Sequence, residues 1–171
     1  MSDTADPAGK WVLDGARVRD ALEKVAARTG HDLRMTNLIA VRVSGYTQIR
    51  VDVQDPGDHE TVQEYGVDGN GSVSGPTHVT SLPLLDSGSS RITAAMVDRK
   101  VFDLSSLPAP ADFSRGQALA RQRTNIREAD VTYWSMNAYS GTLRLMLGVE
   151  SPYGKAIVEI DRRGRVVQVL G

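Results

Sequence analysis

Apolar residues recur along the chain with two different periods. Between Asp14 and Gly30 they recur three and four positions apart, which is the spacing of one face of an α-helix. Asp14 suits the N-cap of this helix, and Gly30 suits the position just after its last turn. A second, less regular helix is predicted over 113–126. The apolar positions of the first helix are Val18, Ala21, Leu22, Val25 and Ala26.

Much of the remaining chain alternates between apolar and polar residues, the period of a half-buried β-strand. Residues 154–170 predict a hairpin whose turn contains Asp161 and Gly164, with Gly164 at positive φ in an exposed position. Short turns join successive strands, so neighbouring strands are predicted to be antiparallel. The other predicted strands are 37–44, 46–54, 60–67, 72–80, 131–138 and 142–150.

This order of elements predicts an α+β protein made of two tandem units, each a helix plus a four-stranded antiparallel sheet. The turn at Asp68 aligns with the turn at Asp161, which favours a repeated unit. The predicted divisions are a flexible N-terminal tail at 1–10, a first αββββ unit at 11–80, a partly docked connector at 81–112 and a second αββββ unit at 113–171.

The last hairpin carries the pattern V-x-I-D-x-x-G-x-V. Its residues are Val158, Ile160, Asp161, Gly164 and Val166, with a partial copy at Val67, Asp68, Gly71 and Val73. A helix followed by a meander with this ending resembles the PepSY-type module and the tandem fold of β-lactamase inhibitor proteins. The resemblance implies a secreted or membrane-tethered module without catalytic activity, often an inhibitor or an accessory binding domain. It assigns no functional residue.

Composition narrows the classes of function. The chain has 171 residues, of which 40% are hydrophobic and 24% charged, and its net charge is −1. This is ordinary globular composition, and the balanced charge gives no reason to expect a nucleic-acid partner. The chain contains no cysteine, which excludes disulfides, thiolate metal sites and cysteine nucleophiles. No apolar run is long enough to span a membrane.

The first ten residues are small and polar, without the basic and apolar regions of a signal peptide. Such a sequence is typical of the tether that follows the lipidated cysteine of a bacterial lipoprotein. We therefore expect an extracytoplasmic, membrane-tethered lipoprotein with a lipid anchor upstream of Met1. A cytoplasmic protein with a flexible start is the alternative.

The sequence contains no recognisable motif for catalysis, metal binding or cofactor binding. Asp55, Asp58, His59 and Glu60 crowd one turn, but their spacing matches no metal-binding loop. The glycine-rich stretch 69–75 lacks the third glycine and the following helix of a dinucleotide-binding loop. The sequence therefore predicts no catalytic residue, no metal and no cofactor.

Strand phase and helix charge supply the candidate binding residues. If Trp134 points into the core, Tyr133 faces the outer surface of the sheet, and Met146 and Tyr153 are placed beside it. Arg121 and Arg123 give the second helix a basic side that suits an acidic partner. The predicted binding residues are Tyr133, Met146, Tyr153, Arg121 and Arg123.

These features favour a non-catalytic binding or inhibitory module of the bacterial envelope. Its protein partner would contact the exposed sheet face or the groove between the units. Two alternatives stay open: a structural subunit of an envelope assembly, and a small enzyme using carboxylates or histidine in that groove. A pocket joining two or more of Asp52, His59, Glu64 and Glu150 would favour the enzyme, whereas a shallow sheet with exposed tyrosine and methionine would favour binding.

Overall fold

The protein contains three helices and eight strands within the residues described by a computed structural model, which are 10–43, 46–80, 91–139 and 141–171. Most of the predicted tail and residues 81–90 of the predicted connector lie outside these ranges. The helices are α1 (Gly15–Thr29), α2 (Ala94–Asp98) and α3 (Pro110–Thr124). The strands are β1 (Met35–Val43), β2 (Tyr46–Gln54), β3 (Val62–Asp68), β4 (Val73–His78), β5 (Asp130–Tyr139), β6 (Thr142–Ser151), β7 (Gly154–Ile160) and β8 (Val166–Leu170).

All eight strands belong to one antiparallel sheet, in the order β4-β3-β2-β1-β5-β6-β7-β8. The prediction of two separate helix-plus-four-stranded units is therefore wrong. β1 pairs with β5, and Ala40 lies opposite Trp134 at this junction. β1 pairs with β2 on one side, and β5 pairs with β6 on one side. Each strand has a second edge with unpaired backbone groups, and these two edges pair with each other. Alternation predicts the face a residue takes, but not which strand lies beside it.

One face of the sheet is covered by α1 and α3, which share a single hydrophobic core. Trp134 lies in this core with 2% of its surface exposed. The Phe113 ring of α3 meets it edge-on, with 5.2 Å between ring centroids. The indole N–H donates to the carbonyl of Val12 over 2.6 Å. The prediction that Trp134 points into the core is confirmed.

The ends of α1 follow the predicted capping. The Asp14 carboxylate accepts hydrogen bonds from the backbone N–H groups of Ala16 and Arg17, and Gly30 has a φ of +77°. α3 begins at Pro110, three residues before the predicted start at residue 113. Proline suits a first helical position, since its φ is fixed and its missing N–H would have no partner there.

The described part of the connector is docked on the body. Val97 of α2 is buried with Val62 of β3. Phe102 exchanges two backbone hydrogen bonds with Met35, each of 2.8 Å. The Arg19 guanidinium of α1 donates to the carbonyls of residues 104, 107 and 108. The connector is thereby held to β1, to β3 and to α1.

The turn between β7 and β8 has the predicted backbone but a different environment. Gly164 has a φ of +71°, and the Asp161 carboxylate accepts from the N–H groups of Arg163 and Arg165. Gly164 is buried, because the turn packs against the first turn of α3. A β-carbon at this position would lie 2.1 Å from the carbonyl oxygen of Asp112. The expectation that Gly164 is exposed and touches little was wrong, although Arg162, Arg163 and Arg165 of the same turn are exposed.

Candidate binding face

The sheet has an outer face, opposite α1 and α3. On β6, Leu145 and Leu147 are buried in the core, so Met146 between them projects to the outer face. The contact between Val97 of α2 and Val62 lies on this side, near one corner of the sheet. None of the helices in the described ranges covers the outer side of β5, β6 and β7. Within the described ranges, the centre of this face therefore has no covering helix.

Six apolar side chains on this face form what we call the outer patch. They occupy two neighbouring rows that run across the strands, perpendicular to the chain. In the first row Val41 pairs with Tyr133, Tyr133 with Gly148, Gly148 with Ile157, and Ile157 with Leu170. The second row carries Ile39 and Met146 on either side of Ser135. The members are Ile39, Val41, Tyr133, Met146, Ile157 and Leu170, all partly or largely exposed.

Tyr133 is the aromatic centre of the patch. Its ring lies over Gly148 of the neighbouring strand, where a β-carbon would come within 1.9 Å of the ring. Glycine at 148 therefore leaves the space that the ring occupies. Burial, reinforced by the negative charge of Glu150, raises the pKa of the Tyr133 phenol. The hydroxyl accordingly stays protonated and can donate a hydrogen bond to a partner.

A polar cluster borders the patch on the side of β2 and β3. Asp52 is only 5% exposed, and burial raises the pKa of its carboxyl to about 6. The Asn37 amide donates to it over 3.3 Å and offsets part of this effect. Glu64 lies directly across from Asp52 and is ion-paired with Arg50. Both carboxyl groups of this cluster thus have a partner within it: Asn37 for Asp52 and Arg50 for Glu64.

Polar residues on β7 and β8 border the patch on its other side. Glu159 is largely buried and accepts a hydrogen bond of 2.6 Å from the Gln168 amide. The Arg144 Nε lies 3.8 Å from a carboxylate oxygen of Glu159. An apolar centre with an aromatic residue and a polar rim is the usual anatomy of a protein-binding surface.

The predicted binding residues divide into separate places. Tyr133 and Met146 lie together in the outer patch. Tyr153 is exposed in the turn between β6 and β7, where the Arg127 guanidinium lies 4.6 Å from its ring centroid. Arg121 and Arg123 are exposed on α3, which covers the opposite face of the sheet. The five residues do not form one surface.

The residues proposed for catalysis do not converge either. Asp52 and Glu64 are neighbours on the outer face, but His59 lies in the turn before β3, with its Nδ1 3.0 Å from Asp98. Glu150 lies on β6, separated from β2 by two intervening strands. No three histidine or carboxylate groups in the described ranges are close enough together to hold a metal ion.

A cleft of about 420 Å³ opens where α1 and α3 begin. Its lining includes an ion-paired group that connects β1, β5 and α3. The Arg42 guanidinium lies 2.8 Å from the Asp130 carboxylate, and the Arg121 Nε lies 3.8 Å from it. Burial alone would raise the pKa of Asp130, but the hydrogen bond and charge of Arg42 outweigh it and keep this pKa low. The cleft thus contains a stable ion pair rather than a proton-transferring group.

Four members of the outer patch were not predicted from the sequence: Ile39, Val41, Ile157 and Leu170. Strand phase alone places Ile39, Val41 and Ile157 on the face opposite to that of a buried neighbour along the chain. Their combination into one patch depends on the pairing of β1 with β5, which the sequence pattern does not contain. An alternation analysis that assumed a continuous sheet would have found them.

Comparison with known proteins gives one likeness of fold. No protein-family model matches the chain, and no curated protein matches it. Among solved structures, the chain is similar to the crystal structure of a protein from Clostridium difficile 630 described as "a putative lipoprotein". The TM-score is 0.63 at 16% identity, and the likeness covers 89% of this chain and 90% of that one. At this identity it shows a shared fold alone.

Within the described ranges, no helix is both long and apolar enough to cross a membrane.

Proposed function

We propose that this protein is a non-catalytic module that binds a protein partner on its outer patch. The observation that supports this is the apolar row from Val41 through Tyr133 and Ile157 to Leu170, which no helix in the described ranges covers. Aromatic residues and methionine are enriched in protein interfaces, and both occur in this patch. The polar clusters on its two sides are paired internally, so they supply a rim without requiring a charged ligand.

We also propose that the protein is an extracytoplasmic lipoprotein tethered to the bacterial envelope. Two observations support this: the small, polar composition of the first ten residues, and the shared fold with a protein described as a lipoprotein. The test is mass spectrometry of the N-terminal peptide of the protein isolated from its native cells. A diacylglyceryl cysteine upstream of the residue numbered Met1 is the expected result, and an unmodified cytosolic N-terminus would contradict this part of the proposal.

An enzyme is the weaker alternative. Catalysis by carboxylates or histidine requires such groups to meet around one substrate-sized pocket. The candidates are instead spread over the outer face and a turn, and Asp130 in the cleft is ion-paired with Arg42. The resemblance to PepSY-type modules and β-lactamase inhibitor proteins favours the binding role, although no family model matches the chain.

Site-specific photo-cross-linking in native cells tests the binding role. A benzophenone amino acid placed at Ile157 of the outer patch should give a cross-linked product with a distinct protein. The matched control carries the same group at Glu23, an exposed residue of α1 on the opposite side of the sheet. The product at Ile157 should disappear when Met146→Lys is added. An identical product from Glu23, or none from Ile157, would contradict the proposal.

A further inference from the structure

The two edges of the sheet are protected unequally. β4, at one edge, contains Gly75 and Pro76, and its pairing with β3 is irregular between Glu64 and Gly66. Proline and irregular pairing are devices that prevent an edge strand from pairing with another chain. β8, at the other edge, also shifts its register against β7, between Glu159 and Ile160, but it contains no proline and no charged residue. β8 is therefore the edge that can accept a further strand.

The exposed side chains of β8 are apolar. Val167 is 58% exposed, Val169 43% and Leu170 44%. These three are among the most exposed large apolar residues in the described part of the chain. An uncharged apolar edge of this kind offers unpaired backbone groups to which another strand can pair.

The sequence of β8 is complementary to itself when read in the antiparallel direction. With Gln168 opposite Gln168 of a second strand, Val167 lies opposite Val169 on either side of the two-fold axis. Each of these valines then meets a valine, and the two amides meet each other. Such pairs are the stabilising unit of a sheet. The arrangement has two-fold symmetry, which is the usual symmetry of a protein dimer.

The charges beside β8 select the same orientation. Arg162, Arg163 and Arg165 all lie in the turn before the strand, whereas Gly171 follows its other end. Antiparallel pairing places the basic turns of two copies at opposite ends of the interface. Parallel pairing would bring them side by side, where like charges repel.

From these features we propose that β8 pairs antiparallel with β8 of a second copy, which joins two eight-stranded sheets edge to edge. Val167, Gln168 and Val169 lie at the centre of the interface. Leu170 belongs to both β8 and the outer patch, so the patches of the two copies approach each other across the two-fold axis. The dimer would then present a paired binding face.

Cysteine cross-linking tests the register directly, because the chain has no cysteine of its own. Residue 168 lies opposite itself in the proposed pairing, with β-carbons about 4.5–5.5 Å apart. The Gln168→Cys variant should form a disulfide-linked dimer under mild oxidation. Thr77→Cys on the opposite edge is the control, and it should stay monomeric under the same conditions. Failure of Gln168→Cys to cross-link faster than Thr77→Cys overturns the proposal.

Sedimentation velocity on the cysteine-free chain tests the association itself. The wild type should dimerise with rising concentration, and Val167→Lys combined with Val169→Lys should abolish the dimer. Thr77→Lys serves as the control on β4 and should leave it unchanged. Circular dichroism confirms that each variant is folded. A wild type that stays monomeric, or a dimer that survives both lysines, overturns the proposal and excludes β8 as its interface.

Discussion

The substitution Gly164→Ala tests two reasons for a glycine at this position: the positive φ of its backbone and its close contact with α3. Gly164 has a φ of +71°, so any residue with a β-carbon is strained there by about 1–2 kcal/mol. The added carbon would also lie 2.1 Å from the Asp112 carbonyl oxygen and 3.0 Å from the Gly116 nitrogen. Both contacts are with the backbone of α3, which cannot rotate away as a side chain does. Forcing the turn and the helix apart should cost a further ~1–3 kcal/mol.

Gly141 offers a matched control. Its φ is +76°, but a β-carbon there would have no atom of the described residues within 4 Å, its own chain neighbours apart. Gly141→Ala should therefore lose only the backbone contribution of about 1–2 kcal/mol. Urea unfolding followed by circular dichroism gives the free energy of unfolding of both variants. We expect Gly164→Ala to be less stable than Gly141→Ala by about 1–3 kcal/mol.

Gly164→Asn provides a second check on the same reasoning. Asparagine tolerates the left-handed region better than alanine does, but it carries the same β-carbon. If contact with α3 dominates, Asn at 164 should destabilise about as much as Ala. Equal losses at 164 and 141 would refute the packing of this turn against α3.

Two further changes test the core and the outer face. Trp134→Ala should lower the free energy of unfolding by about 3–5 kcal/mol. Trp134→Phe should lower it by about 1–3 kcal/mol, because this variant leaves the Val12 carbonyl without its donor. Urea unfolding measures both losses, and a loss under ~1 kcal/mol for Trp134→Ala would contradict the burial of this residue. The raised pKa of Asp52 means that the folded state binds the proton more tightly than the unfolded chain, so its contribution to stability is full below about pH 4 and is lost as pH rises through about 6. Asp52→Asn should therefore raise the melting temperature more at pH 7.5 than at pH 5, and parallel changes at both values would contradict the assignment.

The sequence was most informative where structure depends on local chemistry. Asp14 and Gly30 define the ends of α1, and the alternation around Trp134 gives its burial, because capping and strand phase are set by a few neighbouring residues. The joining of β1 to β5 was missed, since it depends on residues nearly a hundred positions apart. The same dependence on distant residues concealed the outer patch, which has two members on β1 and three on β6, β7 and β8, on the other side of Tyr133. The burial of Gly164 against α3 was also missed, because no residue near Gly164 in the sequence indicates that contact.

The most direct test of the proposed binding role is the affinity of the partner captured through Ile157. Calorimetry would compare the wild type with Met146→Lys in the outer patch and with Thr77→Lys, an exposed position on β4 far from the patch. A lysine in the centre of a desolvated interface should weaken binding about tenfold or more, equivalent to ~1.4 kcal/mol. We predict this loss for Met146→Lys and unchanged affinity for Thr77→Lys, with both variants folded. Unchanged affinity for Met146→Lys would contradict a binding role for this face of the sheet.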